Sequence, residues 1–110
     1  MKDKQEVYKV ILEDIKKRNF AKYSIREREY QNSLKDKTVL NSEAERNQAL
    51  KITSIAHVVQ QIILNKIMVE EKKEDQYILD YASKETNTLL SRLDQYIAFT
   101  DKESLNLVIE

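Results

Sequence analysis

Apolar residues recur every three or four positions along almost the whole chain, the period of an α-helix with one face turned to a core. From Asp3 to Asp36 the stripe runs through Val7, Ile11 and Ile15, with Tyr8 and Leu12 beside it. It resumes at Phe20, Tyr23, Tyr30 and Leu34. The stripe slips near Asn19, and Ser24-Ile25-Arg26-Glu27 has the form of a capping box, so a kink or restart there is one reading. A single helix over 3–36 is the preferred one. Asp3 and Glu6 stand at its start and Lys35 and Lys37 at its end, which suits the helix dipole.

The residues Thr38 to Asn41 read as a connection, and Ser42-Glu43-Ala44-Glu45 as a capping box placed directly before the next periodic run. Ile52, Ile55, Val59, Ile62 and Val69 form that run, widened by Ala56, Ile63 and Ile67 until only a narrow polar band through Ser54, His57, Gln61 and Asn65 is left. Such a helix is covered on more than one side, centrally in a bundle or at a self-association surface. The switch from Lys72-Lys73 to Glu74-Asp75 places a second turn between Lys72 and Gln76. Without it, residues 42–99 would form a rod of ~87 Å with nothing to cover its stripe. A third helix over 76–99 carries Ile78, Ala82, Leu89, Leu93 and Tyr96 on one line, with Leu79, Leu90 and Ile97 beside it. Thr100-Asp101-Lys102-Glu103 then starts a short turn that docks Leu105, Val108 and Ile109. The expected fold is all-α: an antiparallel bundle of three long amphipathic helices (3–36, 42–73 and 76–99) with a short C-terminal turn, in one domain spanning 1–110.

Composition strengthens the fold class. With Gly 0 and Pro 0, an all-β or α/β chain would have to make its many tight turns from Asn and Asp alone, whereas a few long helices need few turns. Cys 0 excludes disulfides, thiolate metal sites and thiol chemistry, and fits a reducing cytoplasm. The start, Met-Lys-Asp-Lys-Gln-Glu, runs into no apolar stretch, so no signal peptide is expected. The polar interruptions between Ile52 and Val69 argue against a membrane span. A formal net charge of +0 draws the molecule to neither nucleic acid nor membrane. The charge is nevertheless uneven. Before Thr38 eleven basic residues face seven acidic ones, a net +4, and from Glu74 onward three face eight, a net −5.

Little of this resembles catalytic machinery. His57 is the single histidine, which excludes paired-imidazole sites and the Glu-x-x-His pairs of bundle di-iron centres. Ser54 and His57 share a helix face without an orienting acid or oxyanion loop in the pattern, so His57 reads as a surface or interhelical hydrogen-bonding residue. Phosphate cradles need the close backbone approach that glycine allows, so a nucleotide-binding loop is not expected. Carboxylates are plentiful but scattered, and acid–base work by helix-borne carboxylates is the third of three functional readings. No enzyme activity, cofactor or metal is expected.

The segment from Lys16 to Arg28 is the strongest candidate for contact with a partner or with nucleic acid. It holds Lys16, Lys17, Arg18, Lys22, Arg26 and Arg28, with Phe20 and Tyr23 interleaved, and on a helix Arg18, Lys22 and Arg26 would form one basic strip. The competing reading is that this strip faces the acidic third helix. The six tyrosines read as core-edge packing, each with its ring covered and its hydroxyl wet.

The stretch Leu40-Asn41-Ser42-Glu43-Ala44-Glu45-Arg46-Asn47-Gln48-Ala49-Leu50 resembles the short Thr/Asn-Glu-x-x-Arg-Asn/Lys-Ala signature between the helices of small proteins from phage and prophage early regions, often near recombination genes. It covers that stretch and a helix–turn–helix layout on either side, and departs at Gln48, where the pattern usually has a small or aromatic residue. The resemblance implies a mobile-element origin and an accessory role, and carries over no catalytic residues. The leading expectation is therefore a non-enzymatic protein-interaction module, cytoplasmic, acting on another protein, with a homodimer through the second helix as a further expectation. The runner-up is a nucleic-acid-associated accessory protein using the Lys16–Arg28 strip.

Overall fold

The computed structural model of the chain describes residues 1–36, 42–72 and 74–110. The described residues form five α-helices and no strands: α1 (Lys4–Lys16), α2 (Phe20–Lys35), α3 (Glu43–Glu71), α4 (Gln76–Phe99) and α5 (Lys102–Ile109). The all-α class stands, but the count of three helices does not. The expected connection at Thr38–Asn41 and the position Lys73 lie outside the described residues.

The expected helix over 3–36 is two helices, divided at Lys17-Arg18-Asn19. Arg18 sits in the left-handed region at φ 58. The Arg18 N–H donates to the Ile15 carbonyl at 3.1 Å and the Asn19 N–H to the Asp14 carbonyl at 2.9 Å, the two bonds of a Schellman helix stop. Glycine normally takes that position because it has no Cβ to clash. Here arginine takes it, at a penalty of roughly 1–2 kcal/mol. The slip of the apolar stripe near Asn19 is this stop. The Ser24–Glu27 box caps nothing: α2 begins at Phe20, and Glu27 reaches across to α3 instead.

Contact order gives the directions. Along α2, Tyr23 and then Glu27 meet Gln60 and then His57 of α3, so the two run oppositely. Lys4 donates to the Ala98 carbonyl at 2.9 Å and Tyr8 to Asp94, so α1 runs opposite to α4. Burial and the Asp94 carboxylate together push the Tyr8 hydroxyl up to about 12.

The α3 and α4 starts follow their sequence signals. Ser42 Oγ accepts from the Glu45 N–H at 3.1 Å, and Asp75 caps α4 through the N–H groups of Tyr77 and Ile78 at 3.1 and 3.3 Å. The expected turn between Lys72 and Gln76 is present. The anticipated C-terminal turn is a full helix, α5, started by Asp101 rather than Thr100: its carboxylate accepts from the Ser104 N–H at 2.9 Å and from Ser104 Oγ at 2.8 Å. Asn106 of α5 binds both main-chain groups of Lys2, accepting from its N–H at 3.0 Å and donating to its carbonyl at 2.8 Å.

The wide apolar face of α3 is explained by its position, since α3 touches each of the other four helices. Ile52, Ile55, Val59, Ile62 and Ile63 are all but fully buried, together with Val7 and Ile11 of α1, Leu93 of α4 and Leu105 and Val108 of α5. By length and composition alone α3 would cross a membrane. Its most apolar window has a mean hydropathy of 1.3, and 56% of that window is buried inside the chain, as in a core helix.

Candidate interaction surface

The structure disperses the basic segment. Arg18 lies in the turn, so it does not continue a helical line with Lys22 and Arg26. Arg18 pairs with Glu70 at the end of α3, Lys22 with Asp14 at 2.8 Å, Arg26 with Glu29 at 3.2 Å and Lys17 with Glu13 at 3.6 Å. None of these acids belongs to α4, so the expected pairing with the acidic third helix is not what neutralises them. Lys16 and Arg28 remain exposed. Tyr23 is no stacking platform, being wholly buried.

Around the turn these residues build a latch. The Asp14 carboxylate is buried and accepts from Tyr23 Oη at 2.6 Å, Lys22 Nζ at 2.8 Å and Asn19 Nδ2 at 3.4 Å. Burial by itself would raise the Asp14 carboxyl. The hydrogen bonds from Lys22 and Tyr23, with the Lys22 charge, outweigh it and hold the group below its ordinary value. The same burial, with the bond to Asp14, drives the Tyr23 hydroxyl well above its ordinary value. Sequence reasoning missed the latch because Asp14 and Tyr23 lie on the two sides of the turn.

His57 makes the interhelical bond expected of it. Its Nδ1 lies 3.1 Å from Glu27 Oε2, the oxygen that also accepts from Gln60 Nε2 at 3.1 Å. Ser54 shares a shallow groove with His57, Glu27 and Arg92, and no hydrogen bond joins Ser54 to His57 among the described residues. No group of three or more histidine, aspartate or glutamate side chains comes together as a metal site among the described residues.

The outer face of α4 is different in kind. Tyr77 is 80% exposed, Tyr81 56% and Phe99 84%. Tyr81, Arg92 and Phe99 stand about three and five whole turns apart, and Tyr77 lies one turn before Tyr81, so all four share a line ~33 Å long. Arg92 is exposed on the same line. Tyr96, one turn before Thr100, flanks a smaller apolar groove with Leu50 and Ile55 of α3. The expectation of core-edge packing describes Tyr8, Tyr30 and Tyr96, which are half-buried against the core, but not Tyr77 and Tyr81. Their 3–4 spacing was legible. The missing signal was that the first half of α4 has only Ala82 buried.

Comparison of the chain with protein-family models, with characterised proteins and with solved structures finds no match.

Proposed function

We propose that this chain is a non-enzymatic protein-interaction module whose working surface is the outer face of α4. The observation that carries the reading is the line Tyr77, Tyr81, Arg92 and Phe99. Tyrosine and arginine are among the residue types that dominate binding energy at interfaces, and large aromatics left mostly in water are otherwise a solubility cost. The occupant that fits is another protein presenting an apolar groove with a carboxylate opposite Arg92, in the manner of helix-in-groove recognition. Helices α3 and α4 pack against each other behind this face. The resemblance of residues 40–50 to phage early-region proteins accords with an accessory role of this kind.

The test is a nuclease-treated affinity capture with identified proteins quantified by mass spectrometry, using the wild type and a Tyr77→Ser, Tyr81→Ser, Phe99→Ser variant checked for unchanged helicity. A specific partner retained by the wild type and lost by the variant supports the reading. Partners unaffected by the variant, or sedimentation showing that the face is occupied by a second copy, would overturn it. The nucleic-acid reading is the less favoured, because Arg18 lies off the line of Lys22 and Arg26, and those two are paired with Asp14 and Glu29 of this chain.

A further inference from the structure

A groove of about 320 Å³ lies where the α1–α2 turn meets the end of α3 and the first half of α4, lined by the apolar Val69 and Ala82 and by Arg18, Lys66, Glu70, Ser83, Thr86 and Asn87. It is separate from the outer face of α4 and stands on different observations. We infer that it is a binding site for a phosphate-monoester group.

Three features point there. First, Arg18 is held in place at the groove by its backbone and its side chain together. It occupies a left-handed position at φ 58, and its Nε proton is buried without a partner. Its guanidinium is fixed in direction by the Ile15 and Lys16 carbonyls, at 3.4 and 2.6 Å, so that Nη2 is presented to Glu70.

Second, the wall supplied by α4 consists of free donors. Hydroxyls inside helices commonly bond back to a carbonyl one turn earlier, as Thr88 does to Lys84 at 3.1 Å and Ser33 to Glu29 at 3.0 Å. Ser83 and Thr86 make no such bond, and neither their hydroxyls nor the Asn87 amide or Lys66 ammonium has a hydrogen-bond partner among the described residues. A chain without glycine has no glycine-rich loop to wrap a phosphate, and side-chain donors such as these are the alternative.

Third, charge and size select the ligand. Arg18 and Lys66 against Glu70 leave the groove one positive charge. A monoester dianion neutralises Lys66 and competes with Glu70 for Arg18, whereas a diester strand brings a single charge per phosphate and needs a longer channel. The volume lies at the lower end of the roughly 300–1,000 Å³ typical of small-molecule sites. That suits a phosphorylated small molecule or a phosphoserine side chain.

The experiment is an NMR titration with inorganic phosphate at constant ionic strength, following the Asn87 side-chain amide and the backbone amides of Ser83 and Thr86. It is repeated with O-phosphoserine and with a short single-stranded oligonucleotide without terminal phosphates. Saturable shifts are expected. Arg18→Gly should weaken binding by roughly tenfold or more, the effect of losing one charge-assisted hydrogen bond. That variant relieves the backbone strain, and an unchanged helicity and urea midpoint separate lost binding from misfolding. Glu70→Gln should tighten binding, and Ser83→Ala with Thr86→Ala should weaken it. Tighter binding of O-phosphoserine than of phosphate would assign the site to phosphorylated side chains, and equal binding to the bare phosphate group. The inference is overturned by shifts that do not saturate, by wild-type affinity in Arg18→Gly, or by an oligonucleotide diester binding as tightly as the monoesters.

Discussion

The hydroxyl of Tyr23 donates to the carboxylate of Asp14 at 2.6 Å across the turn that divides α1 from α2. The ring of Tyr23 is completely buried, so this one side chain fills the core and fastens the turn. Tyr23→Phe keeps the ring and deletes the bond, leaving Asp14 with Lys22 and Asn19. The expected loss is about 1–2 kcal/mol in urea unfolding. Asp14→Ala, which strands both Lys22 and the Tyr23 hydroxyl, should cost more. A Tyr23→Phe protein as stable as the wild type would show that the turn does not depend on the latch.

The latch also sets an acid limit. The folded Asp14 carboxyl lies below its ordinary value of 3.8. A depressed carboxylate contributes stability that is fully present above the unfolded value and lost as pH falls through the folded one. Stability should therefore decline as pH drops below about 4, and Asp14→Asn should flatten that part of the profile while lowering stability at neutral pH. Asp101, held down chiefly by the Ser104 N–H, adds to the same decline. An unchanged slope below pH 4 in Asp14→Asn would assign the acid sensitivity elsewhere.

Arg18 allows the backbone and side-chain effects to be separated. Arg18→Gly and Arg18→Ala both remove the Glu70 contact, an exposed pair contributing ~0–1 kcal/mol. Only glycine relieves the left-handed strain. The glycine variant should be more stable than the alanine variant by about 1 kcal/mol, read from thermal or urea midpoints. Equal midpoints would mean that the turn opens to a different backbone once the arginine is gone.

How far the sequence announced this molecule depends on where its signals are local. Ser42 is read correctly because a cap is defined by residues adjacent in the chain. The same holds for the turn after Lys72. The division at Arg18 left only a slipped stripe, since the residue that normally marks a left-handed stop is absent from the whole chain. What confirms the stop, Tyr23 and Lys22 closing on Asp14, is a contact between helices and has no linear pattern. The basic strip failed for a related reason: helical spacing was extended through a residue that is not helical. Tyr77, Tyr81 and Phe99 were visible as helix positions, but their exposure depends on which flank of α4 its neighbours cover.

Core and surface on α3 differ within two residues. Ile62 is fully buried and Leu64 is 42% exposed. Ile62→Ala should cost roughly 2–5 kcal/mol through the cavity it leaves, whereas Leu64→Ala should change stability by less than about 1 kcal/mol. Similar losses at both positions would place Leu64 against something beyond this chain.

Binding to nucleic acid should be weak and removed by moderate salt. Lys16 and Arg28 are the exposed cations left in the segment after its internal pairs are made. Lys16→Ala with Arg28→Ala therefore tests the surface without disturbing the latch, as a Lys22 variant would. Tight binding to DNA or RNA at physiological salt, with a steep salt slope that this double variant flattens, would make the basic segment the working surface after all.

The grip of Asn106 on Lys2 has a kinetic meaning. It joins positions 104 residues apart, so it closes one of the largest loops the chain can form. Closing a long loop is slow to be rewarded, which places this contact after the α3–α4 hairpin in the order of assembly. A contact made after the rate-limiting step leaves the folding rate alone and resists the reverse reaction. Asn106→Ala is therefore expected to leave the refolding rate near that of the wild type and to raise the unfolding rate, as a clasp closed last would.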